Sequence, residues 1–327
     1  MHAWVCNEAI GPQALRWTEL PTPEPASGEV RVAVACASLN FPDLLIVQGK
    51  YQVKPALPFV PGCEFSGVVT AVGLAVTAFK PGDRVAAFAG QGGFSTEVCV
   101  PAALVMPLPD MMSFEDAAAF ICTYATSHHG LIDRASLRAG ETVLVLGATG
   151  GVGSAAIQVA KAAGARVIAG TSSTAKCELA LRLGADDAFD YSTGNLRERV
   201  KELTGGKGPD VVYDPVGGPL AEAAFRAIAW RGRYLVIGFA QGQIPALPLN
   251  LALLKGASLV GVFWGEYARR EPQDNARMLA ELATWYAQGL VKPSIDQVLA
   301  MTELPAAFDL MDQRRVHGKL VLRNTRG

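Results

Sequence analysis

Ala148-Thr149-Gly150-Gly151-Val152-Gly153 lies between a short apolar run, Thr142–Gly147, and an alanine-rich stretch that reads as a helix. That strand–glycine–helix context is the one in which a glycine pattern signals dinucleotide binding. Gly150 and Gly153 match the second and third glycines of such a turn, with Ala148 in place of the first. Across Gly150, Gly151, Val152 and Gly153 the main chain can approach a pyrophosphate, and the helix N-terminus adds free N–H groups and a favourable dipole. The following apolar run, Arg166–Ser172, ends with no Asp or Glu before Glu178. An acid at that point would bind the ribose hydroxyls of NAD and repel a 2′-phosphate. Ser172, Ser173 and Lys176 instead offer hydroxyls and a cation, which favours NADP(H) over NAD(H). A second chemical candidate is Pro61-Gly62-Cys63-Glu64-Phe65-Ser66-Gly67, where a thiol and a carboxylate adjoin. By itself it reads as half a metal site, a nucleophile, or a tight corner in a sheet.

The elements that must hold these residues fall into two textures. Short β-leaning runs recur through the first third, at Gly28–Asn40, Phe65–Gly73, Gly82–Ala89 and Phe94–Pro101. That pattern predicts a compact all-β unit. Ser113, followed by Glu115 and Asp116, supplies an N-cap and an acidic first turn. Beyond Glu141, strand-like runs (Thr142–Gly147, Arg166–Ser172, Asp210–Gly217, Gly232–Phe239 and Ser258–Trp264) alternate with helical patterns. Such alternation predicts a doubly wound parallel sheet. After Trp264 come a long amphipathic helix and a terminal strand, Gly318–Arg323, expected to return to the β-rich part.

With 327 residues, two domains are expected. The 29 basic and 30 acidic residues nearly cancel, so overall charge suggests neither nucleic acid nor an acidic surface as partner. The six cysteines are scattered without a CxxC pair, the usage of a reducing compartment. The N-terminal residues lack a signal-peptide pattern, and no uncharged apolar run is long enough to span a bilayer. Cytoplasmic localisation is the expectation.

Taken together, Asn40–Tyr51, Pro58–Val69, Gly82–Phe88, Gly92–Val98, Gly147–Ala169, Leu183–Tyr191 and Val211–Gly218 resemble the medium-chain dehydrogenase/reductase superfamily, in its zinc-independent NADPH:quinone oxidoreductase family. The resemblance covers essentially the whole chain. It implies a GroES-like catalytic domain over 1–122 and 266–327 and a Rossmann domain over 123–265, with NADPH in a cleft between them. It further implies a homodimer joined at the Rossmann sheet edge near Ser258–Phe263. By position, Asn40 matches an asparagine near the nicotinamide ribose, Asp43 an aspartate bracing that loop, and Tyr51 a tyrosine near nicotinamide and substrate. Thr126 matches a contact to the nicotinamide end and Tyr191 a residue on the adenosine side, while Phe239 and Phe263 border the cofactor. His128 stands where many relatives have tyrosine, either as a proton-transfer group or as a packed helix residue.

In zinc-containing relatives a histidine occupies the Cys63 position, flanked in sequence by cysteine ligands. Here Asn40 and Cys122 fall at those flanking positions, and the lobe for structural zinc is missing, so three good protein ligands are not assembled. The expectation is therefore a metal-free, NADPH-dependent reductase of quinones or other electron-poor acceptors, with Tyr51, Asn40 and His128 at the chemistry. Alternatives are an enoyl-thioester or enone reductase and a non-catalytic NADPH-binding protein.

Overall fold

The computed structural model describes residues 1–324. Two compact units divide the chain: Met1–Cys122 together with the segment from Ile295 onward, and Thr123–Ser294. The first begins with the antiparallel pair β1 (His2–Cys6) and β2 (Leu15–Glu19). It continues through β3 (Glu29–Leu39), α1 (Phe41–Val47), β4 (Glu64–Val72), β5 (Arg84–Phe88), β6 (Glu97–Pro101), β7 (Val105–Pro107) and α2 (Phe114–Ala118). The division between the units falls inside α3 (Ile121–His128).

The second unit runs β8 (Thr142–Leu146), α4 (Gly151–Ala162), β9 (Arg166–Thr171), α5 (Thr174–Arg182), β10 (Asp187–Asp190), α6 (Leu196–Leu203), β11 (Val211–Asp214) and α7 (Leu220–Ala227). It then adds β12 (Arg233–Val236), α8 (Asn250–Lys255), β13 (Ser258–Gly261), α9 (Trp264–Arg270) and α10 (Pro272–Ala287). The chain returns to the first unit with β14 (Ile295–Ala300), α11 (Leu304–Asp312) and β15 (Lys319–Arg323).

In the first unit the main sheet has the order β14-β15-β3-β4-β5-β7, with β6 also paired to β3. Alternation along β3 sends Val30, Val32 and Val34 inward, where they meet Phe65, Phe94 and Phe308 in one apolar core. The C-terminal β15 pairs antiparallel with β3, setting Leu320 opposite Leu39. That pairing brings the last strand beside the start of α1.

The second unit has the order β10-β9-β8-β11-β12-β13, every neighbouring pair parallel. This is the doubly wound order expected from the alternating pattern. Strands β8 and β11 are central, with Val143, Leu144, Val211 and Val212 fully buried, as continuous apolar strands between two helical layers should be. Each βα turn therefore opens at the same end of the sheet.

The second domain crossing lies between Ser294 and Ile295, not after 265 as the sequence pattern suggests. Side chains of α9 and α10 are anchored within the second unit: Trp264 Nε1 donates to Asn275 Oδ1 at 2.8 Å, and the Trp285 and His128 rings are 5.3 Å apart. Gln158 closes the same unit by donating to Lys292 O at 3.0 Å and accepting from Lys292 N at 2.7 Å. Among the described residues no helix is long and apolar enough to cross a membrane.

Candidate functional site

In the first unit, a buried polar cluster forms where α1, β4 and β15 converge. Asn40 starts α1 and Asp43 lies in its first turn; the Asp43 carboxylate accepts from Asn40 N at 2.8 Å and from Cys63 N at 3.0 Å. One carboxylate thus ties the Asn40 loop to the Pro61–Gly67 segment. Gly62 makes the corner at φ 103°, and a Cβ there would lie 2.5 Å from Phe94 N, so only glycine fits.

Glu64 opens β4 and is fully buried. Its carboxylate accepts from Ser38 Oγ at 3.0 Å, Asn40 Nδ2 at 3.2 Å and Cys122 N at 2.9 Å. Lys319, 4% exposed, donates from Nζ to Asn40 Oδ1 at 2.5 Å and Leu39 O at 3.1 Å, and lies 3.8 Å from Glu64 Oε2. Burial raises the Asp43 and Glu64 carboxyls, while Lys319 and the donors around them pull the other way. The contacts decide the state: both groups face donors only, which suits carboxylates.

Tyr51 packs on the same core. Burial, with Cys122, Cys63 and Asp43 nearby, pushes its phenol up to about 12, so it is a hydrogen-bond donor throughout the neutral range. Burial also raises the thiols of Cys63 and Cys122, assisted for Cys63 by Asp43 and for Cys122 by Glu64. Cys63 Sγ donates to Gly90 O at 3.4 Å. Such thiols are poor nucleophiles, since that role needs the thiolate. Among the described residues no group of three His, Cys, Asp or Glu side chains is arranged to hold a metal ion. At the position of the zinc ligands Asn40 is engaged by Lys319 and Glu64, and the positive charge beside that carboxylate is an ammonium. These residues do not fit a catalytic zinc site.

The second unit carries the glycine turn. Gly147 takes the left-handed backbone (φ 56°), one residue before Ala148, so the tight bend precedes the position at which the sequence pattern expects it. A Cβ on Gly153 would lie 2.3 Å from Gly147 O, so helix α4 can seat against the turn only with glycine there. Gly150 differs: its nearest neighbour would be Gly147 O at 3.4 Å, an ordinary contact. Packing within the protein therefore does not demand glycine at 150. Gly150 precedes the twelve-residue α4, with Gly151, Val152 and Gly153 in its first turn. Ser127, which the sequence pattern did not single out, lies against this turn: its hydroxyl has Thr123 O at 2.8 Å and Val152 O at 3.1 Å as alternative acceptors and meets the Tyr213 hydroxyl at 3.0 Å. Thr126 precedes it, half-buried on α3.

Beyond β9, Ser173 caps α5, its hydroxyl accepting from Lys176 N, while Lys176 Nζ donates to exposed Ser172 Oγ at 3.3 Å. Tyr191, just past β10, returns toward β9 with N donating to Thr171 O at 2.9 Å. Ser172, Ser173, Lys176 and Tyr191 thus gather at one end of the sheet, a cationic, hydroxyl-rich setting suited to a phosphate. Phe239 packs beside Gly217, where a Cβ would lie 2.9 Å from its ring, and Phe263 is 51% exposed. Asp214, another residue the sequence pattern did not single out, ends β11; it accepts from Tyr234 Oη at 2.5 Å and from Val216 N and Gly217 N, fixing the loop that leads to Gly217 and Gly218.

His128 belongs to this second unit, whereas Tyr51 and Asn40 belong to the first. Its Nε2 lies 3.2 Å from Glu281 Oε2 and its ring lies against Trp285, both on α10.

Residues 26–110 match the family described as alcohol dehydrogenase GroES-like domain, and residues 151–284 the family described as zinc-binding dehydrogenase. The chain is 39% identical over 322 residues to quinone oxidoreductase-like protein 2 of Bos taurus, covering 98% of this chain and 91% of that protein. Among solved structures it resembles the quinone oxidoreductase of Pseudomonas syringae (34% identity, TM-score 0.91), covering 99% of this chain and 100% of that one. It also resembles that of Escherichia coli complexed with NADPH (29% identity, TM-score 0.93), again covering 99% and 100%. Similarity over nearly the full length of these proteins, on a GroES-like unit and a Rossmann-type parallel sheet, makes this chain a member of the quinone oxidoreductase family of the medium-chain dehydrogenase/reductase superfamily.

Proposed function

We propose that this protein is an NADPH-dependent reductase of quinones or similarly electron-poor acceptors, working without a metal. The observation that carries the reading is the Lys176–Ser172–Ser173 group, opposite in charge to a 2′-phosphate, on the same sheet end as the open Gly150 turn. The NADPH named with the Escherichia coli relative supports the same cofactor. When bound, NADPH supplies the hydride; a proton must reach the acceptor oxygen to complete the two-electron reduction.

Within the chain, Tyr51 is the proposed proton donor, because burial holds its phenol protonated. Asn40 is the proposed contact to the nicotinamide ribose, and Thr126, Gly150, Gly151, Val152, Gly153, Tyr191, Phe239 and Phe263 are proposed to line the remainder of the cofactor. With Asn40 held by Lys319 and Glu64 where zinc-containing relatives have a cysteine ligand, stabilisation of a developing oxyanion is proposed to fall to hydrogen-bond donors. His128 is proposed as a packed helix residue, since Glu281 and Trp285 occupy its ring.

The chain is further proposed to form a homodimer through β13. That strand ends the parallel sheet, and Leu259 and Phe263, with Leu249, Leu253 and Leu254 from the α8 region, are exposed. An uncovered apolar edge favours pairing. A cytoplasmic setting agrees with six unpaired cysteines.

The test follows NADPH and NADH oxidation optically with a naphthoquinone, a short enone and an acyl-thioester. The quinone with NADPH is expected to react fastest. Preference for the acyl-thioester would instead identify an enoyl reductase, and binding of NADPH with no turnover of any acceptor would identify a non-catalytic binder.

A further inference from the structure

Lys319 is an unusual residue for its place. It begins β15, whose next residues Leu320, Val321 and Leu322 are all fully buried, and its own side chain is 4% exposed. An ammonium taken out of water is costly, and an apolar residue of similar volume often serves packing as well or better. What an apolar residue lacks is a donor. Lys319 Nζ delivers one to Asn40 Oδ1 at 2.5 Å and another to Leu39 O at 3.1 Å, across 279 and 280 residues of sequence.

The neighbours of Asn40 define which way its amide points. Lys319 can only donate and the Glu64 carboxylate can only accept. The carbonyl must therefore face Lys319, and the NH₂ must face Glu64 Oε2 (3.2 Å) and Ser38 O (3.4 Å). Reversing the amide would set NH₂ against ammonium and oxygen against carboxylate, two repulsive contacts in place of two attractive ones. The main chain of Asn40 is pinned independently by Asp43. With backbone and amide both fixed, Asn40 presents one face only.

We propose that Lys319 is a positioning residue: with Glu64 it locks the Asn40 amide in one orientation and so pre-organises the group that receives the nicotinamide half of NADPH. The proposal rests on the reading of Asn40 as the nicotinamide-ribose contact. Without Lys319, Asn40 Oδ1 loses its donor and Glu64 loses its counter-charge, leaving the amide held from its NH₂ side alone. The adenosine half of the cofactor does not depend on this lock.

The experiment compares wild type, Lys319→Met, Lys319→Arg and Asn40→Ala for Kd of NADPH, Kd of 2′,5′-ADP (the adenosine half alone), kcat and thermal denaturation. Lys319→Met is expected to weaken NADPH binding about tenfold or more, as for loss of a buried charge-assisted hydrogen bond. Its affinity for 2′,5′-ADP should be unchanged, and Lys319→Arg, which keeps a cationic donor, should recover part of the loss. Adding Lys319→Met to Asn40→Ala should cost NADPH affinity little more, because both changes remove the same interaction. A folded Lys319→Met protein with wild-type NADPH affinity and turnover, beside a weakened Asn40→Ala, overturns the positioning role. Equal weakening toward NADPH and 2′,5′-ADP also overturns it, in favour of a purely structural one. Wild-type NADPH affinity in Asn40→Ala overturns instead the reading of Asn40. If Lys319→Met does not fold, Lys319→Gln takes its place: its neutral donor predicts an NADPH loss between those of Lys319→Arg and Asn40→Ala, and wild-type affinity there overturns the proposal equally.

Discussion

His128 Nε2 lies 3.2 Å from Glu281 Oε2, within ion-pair distance but without the alignment of a hydrogen bond. Its neighbour His129 sits in the same relation to Asp133, Nδ1 to Oδ2 at 2.9 Å, and stacks on Tyr267 at 4.2 Å between ring centroids. Burial lowers both imidazoles from their ordinary 6.5; Glu281 and Asp133 work against this for His128, as Asp133 does for His129, while Arg134 and His128 add to the lowering of His129. Both rings are therefore neutral at pH 7.

A lowered histidine means that the unfolded chain takes up the proton first as pH falls. The stability these groups contribute is complete above the unfolded value of 6.5 and is lost as pH drops below it toward the folded values. The melting temperature is expected to fall as the pH drops below 6.5. In His128→Gln, which keeps size and polarity without titrating, that slope should be shallower. An identical slope in the variant would remove His128 from the acid response.

Tyr51→Phe removes one oxygen and keeps the ring on the core. If the phenol gives the proton, turnover should fall about a hundredfold with the Kd of NADPH unchanged. Because the group is held at about 12, wild-type activity should show no loss attributable to its ionisation through about pH 10. Unchanged turnover in Tyr51→Phe would leave the proton to water or another donor.

The doubly wound unit was legible because the period of its apolar runs and the glycine turn are local signals: Thr142–Gly147 and Arg166–Ser172 became β8 and β9 almost unchanged. The second domain crossing was less so. The amphipathic pattern of α10 announces a buried face but does not say which unit covers it, and His128, Trp264 and Gln158 decide that by contact. Lys319 was illegible for a stronger reason. A lysine opening a Lys-Leu-Val-Leu run reads as the solvated end of a strand, and only the pairing of β15 with β3 brings it to Asn40. Glu64 was visible only beside Cys63, in a segment that by itself reads as half a metal site, a nucleophile or a tight corner; its partners Ser38, Asn40 and Cys122 N make it the acceptor of a closed network.

Lys176 is the residue proposed to set cofactor choice, its Nζ lying beside exposed Ser172. Lys176→Ala should weaken NADPH about tenfold or more, the scale of a charge-assisted contact to phosphate, and leave NADH nearly unchanged. Ser172, which now accepts from Lys176 Nζ, would keep a hydroxyl in place, so the loss reports the cation. Equal weakening toward both cofactors would indicate a distorted start of α5 and not a missing phosphate contact.

Gly153→Ala tests the turn from the side of packing. The new methyl would meet Gly147 O at 2.3 Å, Ala148 Cα at 2.9 Å and Ala148 C at 3.0 Å, all main-chain atoms of the turn. None of these is the far end of a flexible side chain, so α4 or the turn itself must shift. Overpacking of this kind costs roughly 1–3 kcal/mol, and a lower melting temperature is expected. The same shift moves the first-turn N–H groups of α4, so NADPH affinity should fall together with stability. Gly150→Ala is the counterpart: its methyl would meet Gly147 O at an ordinary 3.4 Å. The melting temperature of Gly150→Ala should stay near wild type, and NADPH affinity alone should drop if the cofactor takes that space as proposed. Loss of stability without loss of affinity at residue 150 would reverse the roles assigned to the two glycines.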